Sequence, residues 1–479
     1  MRVESTKKFR LRIIATWFIL VLAILTIAPA THGQGALSST QQARIDSVVA
    51  DTLKATGAPG ASIAVVKDGT IVYEHAYGSG RLTPPTAAAT SMRYSIGSVS
   101  KQFTVTALLL LAEDKRLSLD DQVSKWLPHL TRANEVSIRQ LLSMTAGYQD
   151  YWPQDYVFTA MRKPIAAPQL LDQWARKPLD FEPGTKWQYS NTNYIIAGLI
   201  VEKASGMRFF EFLQKRVFQP LGMTSVHNAD EAPLGEKDAQ GHLRNALGPL
   251  RPAPKEAKGW LFAAGQLAMT AHDLALWDIS VIDQKILQPA SYRTMQTTVL
   301  LKNGVPTRYG LGVNVGMVNG RRLISHGGAV SGYLTANQIY PDDRAAIVVF
   351  VNIYPGAAGP DGQIANGISR VLFESANADN TKAVEQARRI FTELQQGKVD
   401  RTVFSANAND YFSEQVVADF ATSLSPLGAP TDFAQTSESL RGGMTIRSFQ
   451  FRCGNRRLSL NTQTWPDGKI EQFMVEQAE

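Results

Sequence analysis

The sequence predicts an α/β protein in two parts. The larger part is a unit whose sheet is closed by distant stretches of the chain, with a helical region inserted between them. A small α+β domain lies behind it. Three observations carry this reading. Strand-like runs occur near the start of the chain and again after residue 308. Helix-like segments separated by Gly/Pro turns fill the stretch from about residue 118 to 300. The polar, hydrophobic-poor segment ANADNTKA, 376–383, then reads as a linker to about 95 residues with a pattern of their own. A chain of 479 residues, 44% of them hydrophobic, can bury a large core and suggests two or three folding units.

The first 33 residues stand apart. Lys7, Lys8, Arg10 and Arg12 form a basic head, and an apolar run from Ile13 to Ala28 leads into APATHGQG. This is the profile of a secretory signal peptide, with cleavage after Gly33, and it predicts a periplasmic or secreted protein with no stable membrane insertion afterwards. The competing reading is a retained anchor, although the run is short of the roughly 20 residues that a span needs. The leader carries five Lys/Arg and one Glu, so without it the net charge falls from +7 to +3. The remaining basic residues are scattered among acids, which predicts no nucleic-acid partner. Cys453 is the one cysteine in the sequence, so no intrachain disulfide can form.

Residues 41–56 place Ile45, Val48, Val49 and Leu53 on a helical period. ASIAVVKDGTIVYEHAYG follows, two apolar runs flanking Asp68-Gly69, which predicts a hairpin. The stretch from Lys101 to Ala112 lacks Gly and Pro and reads as a buried helix. NYIIAGLIVEKASG, ending at Gly206, and TAHDLALWDISVI are further helices. YGLGVNV, RRLISHGG, GYLTANQIY and AAIVVFVN read as strands, and QIANGISRVLFESA as a helix with Ile364, Ile368, Val371 and Leu372 on one face. In the last part, helices over roughly 382–396 and 412–424 precede three strand-like pieces, MTIRSFQFRC, RRLSLNTQTW and KIEQFMVEQ.

The chemistry starts from S-x-x-K. Ser98 and Lys101 are three apart at a helix start and share a face. Unpaired backbone N–H groups of a first turn can help to stabilise an oxyanion. A serine needs a nearby base to become a nucleophile, and a lysine supplies one when an apolar, cationic setting lowers its pKa. Two further motifs follow in order: Tyr189-Ser190-Asn191, in a polar loop entering a helix, and His326-Gly327-Gly328, at the end of the strand RRLIS.

This assembly resembles the serine beta-lactamase and penicillin-binding-protein superfamily, and most closely its class C beta-lactamase-related branch of D,D-peptidases, D-aminopeptidases and esterases. The resemblance covers roughly residues 40–375, running through LSLDDQVSKWLP, VSIRQLLSMTAGY, FEPGTKWQYSNTNYIIAGLIVEKASG, LFAAGQLAMTAHDLALW and ISHGGAVSGY. It implies a beta-lactamase-like antiparallel sheet with flanking helices and a helical subdomain over 38–375. It also implies a hydrolase working through an acyl-enzyme, with Ser98 as nucleophile and Lys101 as its base. Tyr189 relays protons, Asn191 binds the substrate's acyl side or Lys101, and the backbone N–H groups of Ser98 and Ala329 form the oxyanion hole. Acyl-serine chemistry of this kind needs no cofactor and no metal.

His326 departs from the lysine that often opens the third motif. A neutral imidazole grips a substrate carboxylate less firmly than a fixed positive charge, and it can instead hydrogen-bond Tyr189 or the substrate. This turns the expectation toward an esterase-like or D-aminopeptidase-like hydrolase acting on small esters, amides or D-amino-acid peptides, with peptidoglycan fragments among the possible substrates. The alternatives are a D,D-carboxypeptidase, a class C-type beta-lactamase, or a binding protein that kept the fold without the catalysis. Met144 and Ala146 replace residues that support packing near the cleft. Tyr148, Tyr151 and Trp152 either line a substrate wall or cover core. Residues 384–479 resemble a cystatin- or NTF2-like accessory domain, in which Asp400, Arg401, Arg441 and Glu471 read as salt-bridged surface or core support rather than as a pocket.

Overall fold

The computed structural model describes residues 36–154, 156–355, 359–373 and 378–477, so the expected leader at 1–33 lies outside them. Among the described residues no helix is long and apolar enough to cross a membrane.

Helix α1, Ser39–Thr56, begins two residues before the expected stretch, its Ser38–Gln41 capping box satisfying the first N–H groups and Gly57 ending it in the left-handed region at φ 67°. Strands β1, Gly60–Lys67, and β2, Thr70–Leu82, form the predicted hairpin, with Asp68 and Gly69 both at positive φ as its turn demands. Pro85–Ala87 supplies β3, an edge strand. Much later come β4, Asn314–Val318, β5, Arg321–Val330, β6, Tyr333–Tyr340, and β7, Ala345–Val351. They complete a seven-stranded sheet in the order β3-β2-β1-β7-β6-β5-β4, whose described pairings are antiparallel. The pairing of β1 with β7, Ile63 opposite Val349, joins the first part of the chain to the last part of this unit.

Alternation along the two central strands gives the sheet two buried faces. Ala61, Ile63 and Val65 with Ala345, Ile347, Val349 and Val351 face α1 and the helix Pro360–Phe373, where Ile364, Ile368, Val371 and Leu372 are buried as predicted. Ala64 and Val66 with Ala346, Val348 and Phe350 face the larger core of the inserted helical region. That region contains the helices Ser100–Glu113, Asn191–Ser205 and Ala271–Ile282.

Several expectations change. YGLGVNV is not one strand: regular strand starts at Asn314. A side chain at Gly310 would lie 2.2 Å from the Met295 carbonyl, and Gly312 sits at φ 68°, so the segment is pressed into the core as an irregular bend. Strand β5 does not end at Gly328 but runs on two residues to Val330, with Ala329 opposite Leu334. The linker is largely helical: Ala378–Gln395 begins before residue 382, since no glycine or proline interrupts the chain until Gly397. Residues 376 and 377 lie outside the described residues.

The last part has its own core, with Phe391, Phe433, Phe451 and Phe473 buried between helices and a four-stranded antiparallel sheet. The helix Glu414–Leu424, capped by Ser413, matches the reading. One strand was missed, Pro430–Arg441; it is an interrupted, mostly exposed edge strand with Phe433 as its buried residue, so it carries no apolar alternation. Asp400 caps Thr402, Arg401 donates to the Asn409 and Phe412 carbonyls, and Glu471 accepts from Asn407 and Trp465. These three are committed to local structure.

Candidate active site

Ser98 lies in a 3-10 turn, Gly97–Val99, that runs straight into the helix Ser100–Glu113. That helix is apolar nearly all round and almost wholly buried, so Lys101 on its first turn is carried into the core with it. Lys101 Nζ is 3.0 Å from Ser98 Oγ, 2.8 Å from Asn191 Oδ1 and 2.8 Å from the Ala264 carbonyl. Its ammonium also lies 5.0 Å from the Tyr189 ring centre. Burial pushes its pKa down from 10.5 to about 7, opposed by the nearby Asp150 carboxylate. Such a lysine exchanges its proton near neutrality.

Asn191 opens the helix Asn191–Ser205. Ser190, at the N-cap position, makes no side-chain cap. Asp150 does that work instead: one carboxylate oxygen accepts the Asn191 backbone N–H at 3.0 Å and the other accepts Asn191 Nδ2 at 3.3 Å. With its amide nitrogen held by Asp150, the side-chain oxygen of Asn191 is turned toward Lys101. Met144, at the departing motif position, is buried, and its sulfur accepts from the Ser190 N–H at 3.4 Å. It supports the loop that carries Tyr189.

The Tyr189 side chain lines the same cleft as Ser98, and burial raises its pKa well above the usual range, so it is a neutral phenol. His326 stands beside it on β5, ring centres 6.4 Å apart. Its Nδ1 is 2.6 Å from the Gly327 carbonyl, which can only accept, so Nδ1 carries the proton. Nε2 then accepts from the Tyr309 hydroxyl at 3.0 Å. Burial, and next the Lys101 charge, lower the imidazole to about 4. The expected bond from His326 to Tyr189 is replaced by the one to Tyr309.

Glycines let β5 approach the turn that carries Ser98. A side chain on Gly328 would fall 2.0 Å from the Ile96 carbonyl oxygen, and one on Gly97 would fall 2.8 Å from the Ala329 nitrogen. Ser98 and Ala329 thereby share the wall of a cleft of about 690 Å³ with Tyr189, Asn191 and His326. All six sequence-predicted residues therefore meet, Lys101 beneath the floor and the others on the lining. Tyr151 and Trp152 line the cleft; Tyr148 is buried and donates to the Thr131 carbonyl.

Asp150, Tyr309, Ala264 and Asp361 were missed. An acid inside the aromatic run YQDYW is a usable signal for Asp150. The others sit in segments whose proximity comes from the tertiary fold. Chemically, the arrangement places a hydroxyl against a titratable buried amine and a neutral phenol, in a cleft where an acyl group has room.

The family model described as Beta-lactamase matches residues 45–367. A D-aminopeptidase of Brucella anthropi is 28% identical over 327 residues, covering 67% of this chain and 62% of that protein. The chain thus spans less than two thirds of that relative's length. A crystal structure of a D-stereospecific amidohydrolase from a Streptomyces species superposes with a TM-score of 0.60 at 25% identity, covering 70% of this chain and 99% of that one. An octameric penicillin-binding protein homologue from Pyrococcus abyssi shares the fold at a TM-score of 0.61 and 19% identity, over 91% of this chain and 99% of its own. With the family match extending over most of its length, this chain belongs to the beta-lactamase family.

Proposed function

We propose that the protein is an exported serine hydrolase that cleaves ester or amide bonds through an acyl-enzyme on Ser98, of the esterase or D-aminopeptidase type. The observation that carries this is the buried Lys101, with a pKa near 7, 3.0 Å from Ser98 Oγ. Neutral Lys101 takes the Ser98 proton as Oγ attacks the substrate carbonyl. Backbone N–H groups of Ser98 and Ala329 hold the oxyanion. Tyr189, on the same lining as Ser98 and beside Lys101, relays the proton taken up by Lys101 to the leaving alcohol or amine as its bond to the acyl carbon breaks. Water then attacks the ester, losing its proton by the same route, and frees the acid and Ser98. Asn191 holds Lys101 and the acyl side. The names of the D-aminopeptidase and amidohydrolase relatives favour D-amino-acid amides, D-amino-acid peptides or peptidoglycan fragments among the substrates. Residues 384–479 serve as an accessory domain.

The test is intact mass of the mature protein after exposure to a short activated ester and to a penicillin in parallel, with Ser98→Ala as control. A Ser98-dependent ester adduct that turns over, without a penicillin adduct, supports the proposal. A Ser98-dependent penicillin adduct moves the reading to a D,D-peptidase or beta-lactamase. No adduct from either overturns the hydrolase reading in favour of a binding protein.

A further inference from the structure

Among the described residues lining the cleft, the charged side chains are Asp150 and Asp361, and none is lysine or arginine. His326 is neutral near pH 7, and Lys101 lies beneath the lining with its charge half titrated there. The cleft therefore presents acid without base. This is the reverse of what a substrate carboxylate requires.

The two acids are not equivalent. Asp150 accepts the Asn191 N–H at 3.0 Å, Asn191 Nδ2 at 3.3 Å and the Trp152 N–H at 3.2 Å, and it faces Lys101. Its oxygens and its charge are already engaged. Asp361 stands in the first turn of the helix Pro360–Phe373, on a lining shared with Val330, Leu334 and Tyr354. No described lysine or arginine shares that lining with it. A carboxylate in a helix's first turn is ordinarily favoured by the helix dipole, which lowers its pKa. Here burial wins and pushes it up. A cation brought by the substrate would relieve that penalty, whereas a second carboxylate would add like charge.

We propose that Asp361 is a specificity-determining residue of the cleft, selecting acyl donors that carry an ammonium group and disfavouring those that carry a carboxylate. This rests on the Ser98 hydrolase reading. It names the substrate class within it: esters or amides of amino acids and other cationic acyl groups, over penicillins and peptides with a free C-terminus in the cleft.

The test uses the full chain with the 4-nitrophenyl esters of ε-aminocaproic, heptanoic and adipic acids, which differ chiefly in terminal charge, against a Ser98→Ala background. The readout is the ratio of kcat/KM for the cationic ester over the neutral one. The wild type is expected to favour the cation, and Asp361→Asn to lower the ratio roughly tenfold, as the loss of one half-buried ion pair does. Asp361→Lys should lower it further and raise turnover of the adipate ester, while Asp361→Glu keeps the wild-type order, which a mere folding defect would not. An unchanged ratio in both Asn and Lys variants, with Ser98-dependent turnover of the neutral ester intact, overturns the inference and leaves the hydrolase reading standing. Absence of Ser98-dependent turnover of all three esters overturns both.

Discussion

Replacing Lys101 by methionine should remove catalysis and reverse a stability cost at the same time. Lys101 is fully buried, and its pKa falls from 10.5 to about 7 on folding. Between those two values the unfolded chain binds a proton there and the folded protein does not, so stability must rise with pH across that window and be lost as pH falls through it. Integrating this difference, the buried lysine costs folding about 4 kcal/mol at about pH 7.5, of which more than half is relieved by about pH 9.5. Other titrating groups contribute too, so the quantity to measure is a double difference. Urea unfolding of wild type and Lys101→Met is followed at both pH values, and the wild type should gain roughly 2 to 3 kcal/mol relative to the variant on going from the lower to the higher. The kinetic counterpart is a kcat/KM for a neutral ester that rises with pH through an apparent pKa near 7, as the base loses its proton. A stability difference that stays flat, or that falls with pH, would refute the reasoning: Lys101 would then be a permanently charged structural cation.

Two further outcomes follow from the packing. Gly328→Ala places a methyl carbon 2.0 Å from the Ile96 carbonyl oxygen and must push β5 off the Ser98 turn, whereas Gly327→Ala meets its nearest atom at an ordinary 3.7 Å. Ester turnover should drop on the order of a hundredfold in the first and stay within a few-fold in the second, and equal losses would contradict the assigned close approach. The other concerns Asp278, fully buried on the helix Ala271–Ile282, where it accepts two hydrogen bonds from Asn337, itself bonded to Gln102 beside Lys101. Burial raises its pKa well above 3.8, so below that value both states are protonated, and stability falls as pH rises and the unfolded chain ionises first. The stability of wild type relative to Asp278→Asn, measured by urea unfolding, should therefore decline from about pH 4 upward, and a rise would mean that the carboxylate is ionised in the fold.

The parts that were legible in the sequence are those whose cause is local. The Asp68-Gly69 hairpin needs two positive φ angles in a row, and the residue pair announces them. The helix Ser100–Glu113 is one unbroken apolar run with Ser98 just before it, the motif of Tyr189 sits at a helix start, and His326 is a polar residue that stands out in an apolar strand. What was not legible depends on distance in the chain. Asp150 reaches Asn191 across 41 residues, Ala264 reaches Lys101 across 163, and no periodicity signals such a pairing. YGLGVNV was misread because its glycines serve close packing against Met295 and the helix Ser100–Glu113 rather than turns between strands. The polar edge strand Pro430–Arg441 was missed for the opposite reason: exposed on most of its length, it has little apolar pattern to show. His326 could be seen as a departure, but its partner Tyr309 lay in the segment that was misread.

The central claim is that Ser98 is acylated. Intact mass spectrometry of the protein quenched within seconds of mixing with a short activated ester tests it most directly. A mass increase equal to the acyl group is expected, located on the peptide containing Ser98, decaying as substrate is exhausted, and absent from Ser98→Ala and Lys101→Met. An adduct that persists in Ser98→Ala, or hydrolysis of the ester with no dependence on Ser98, would contradict it.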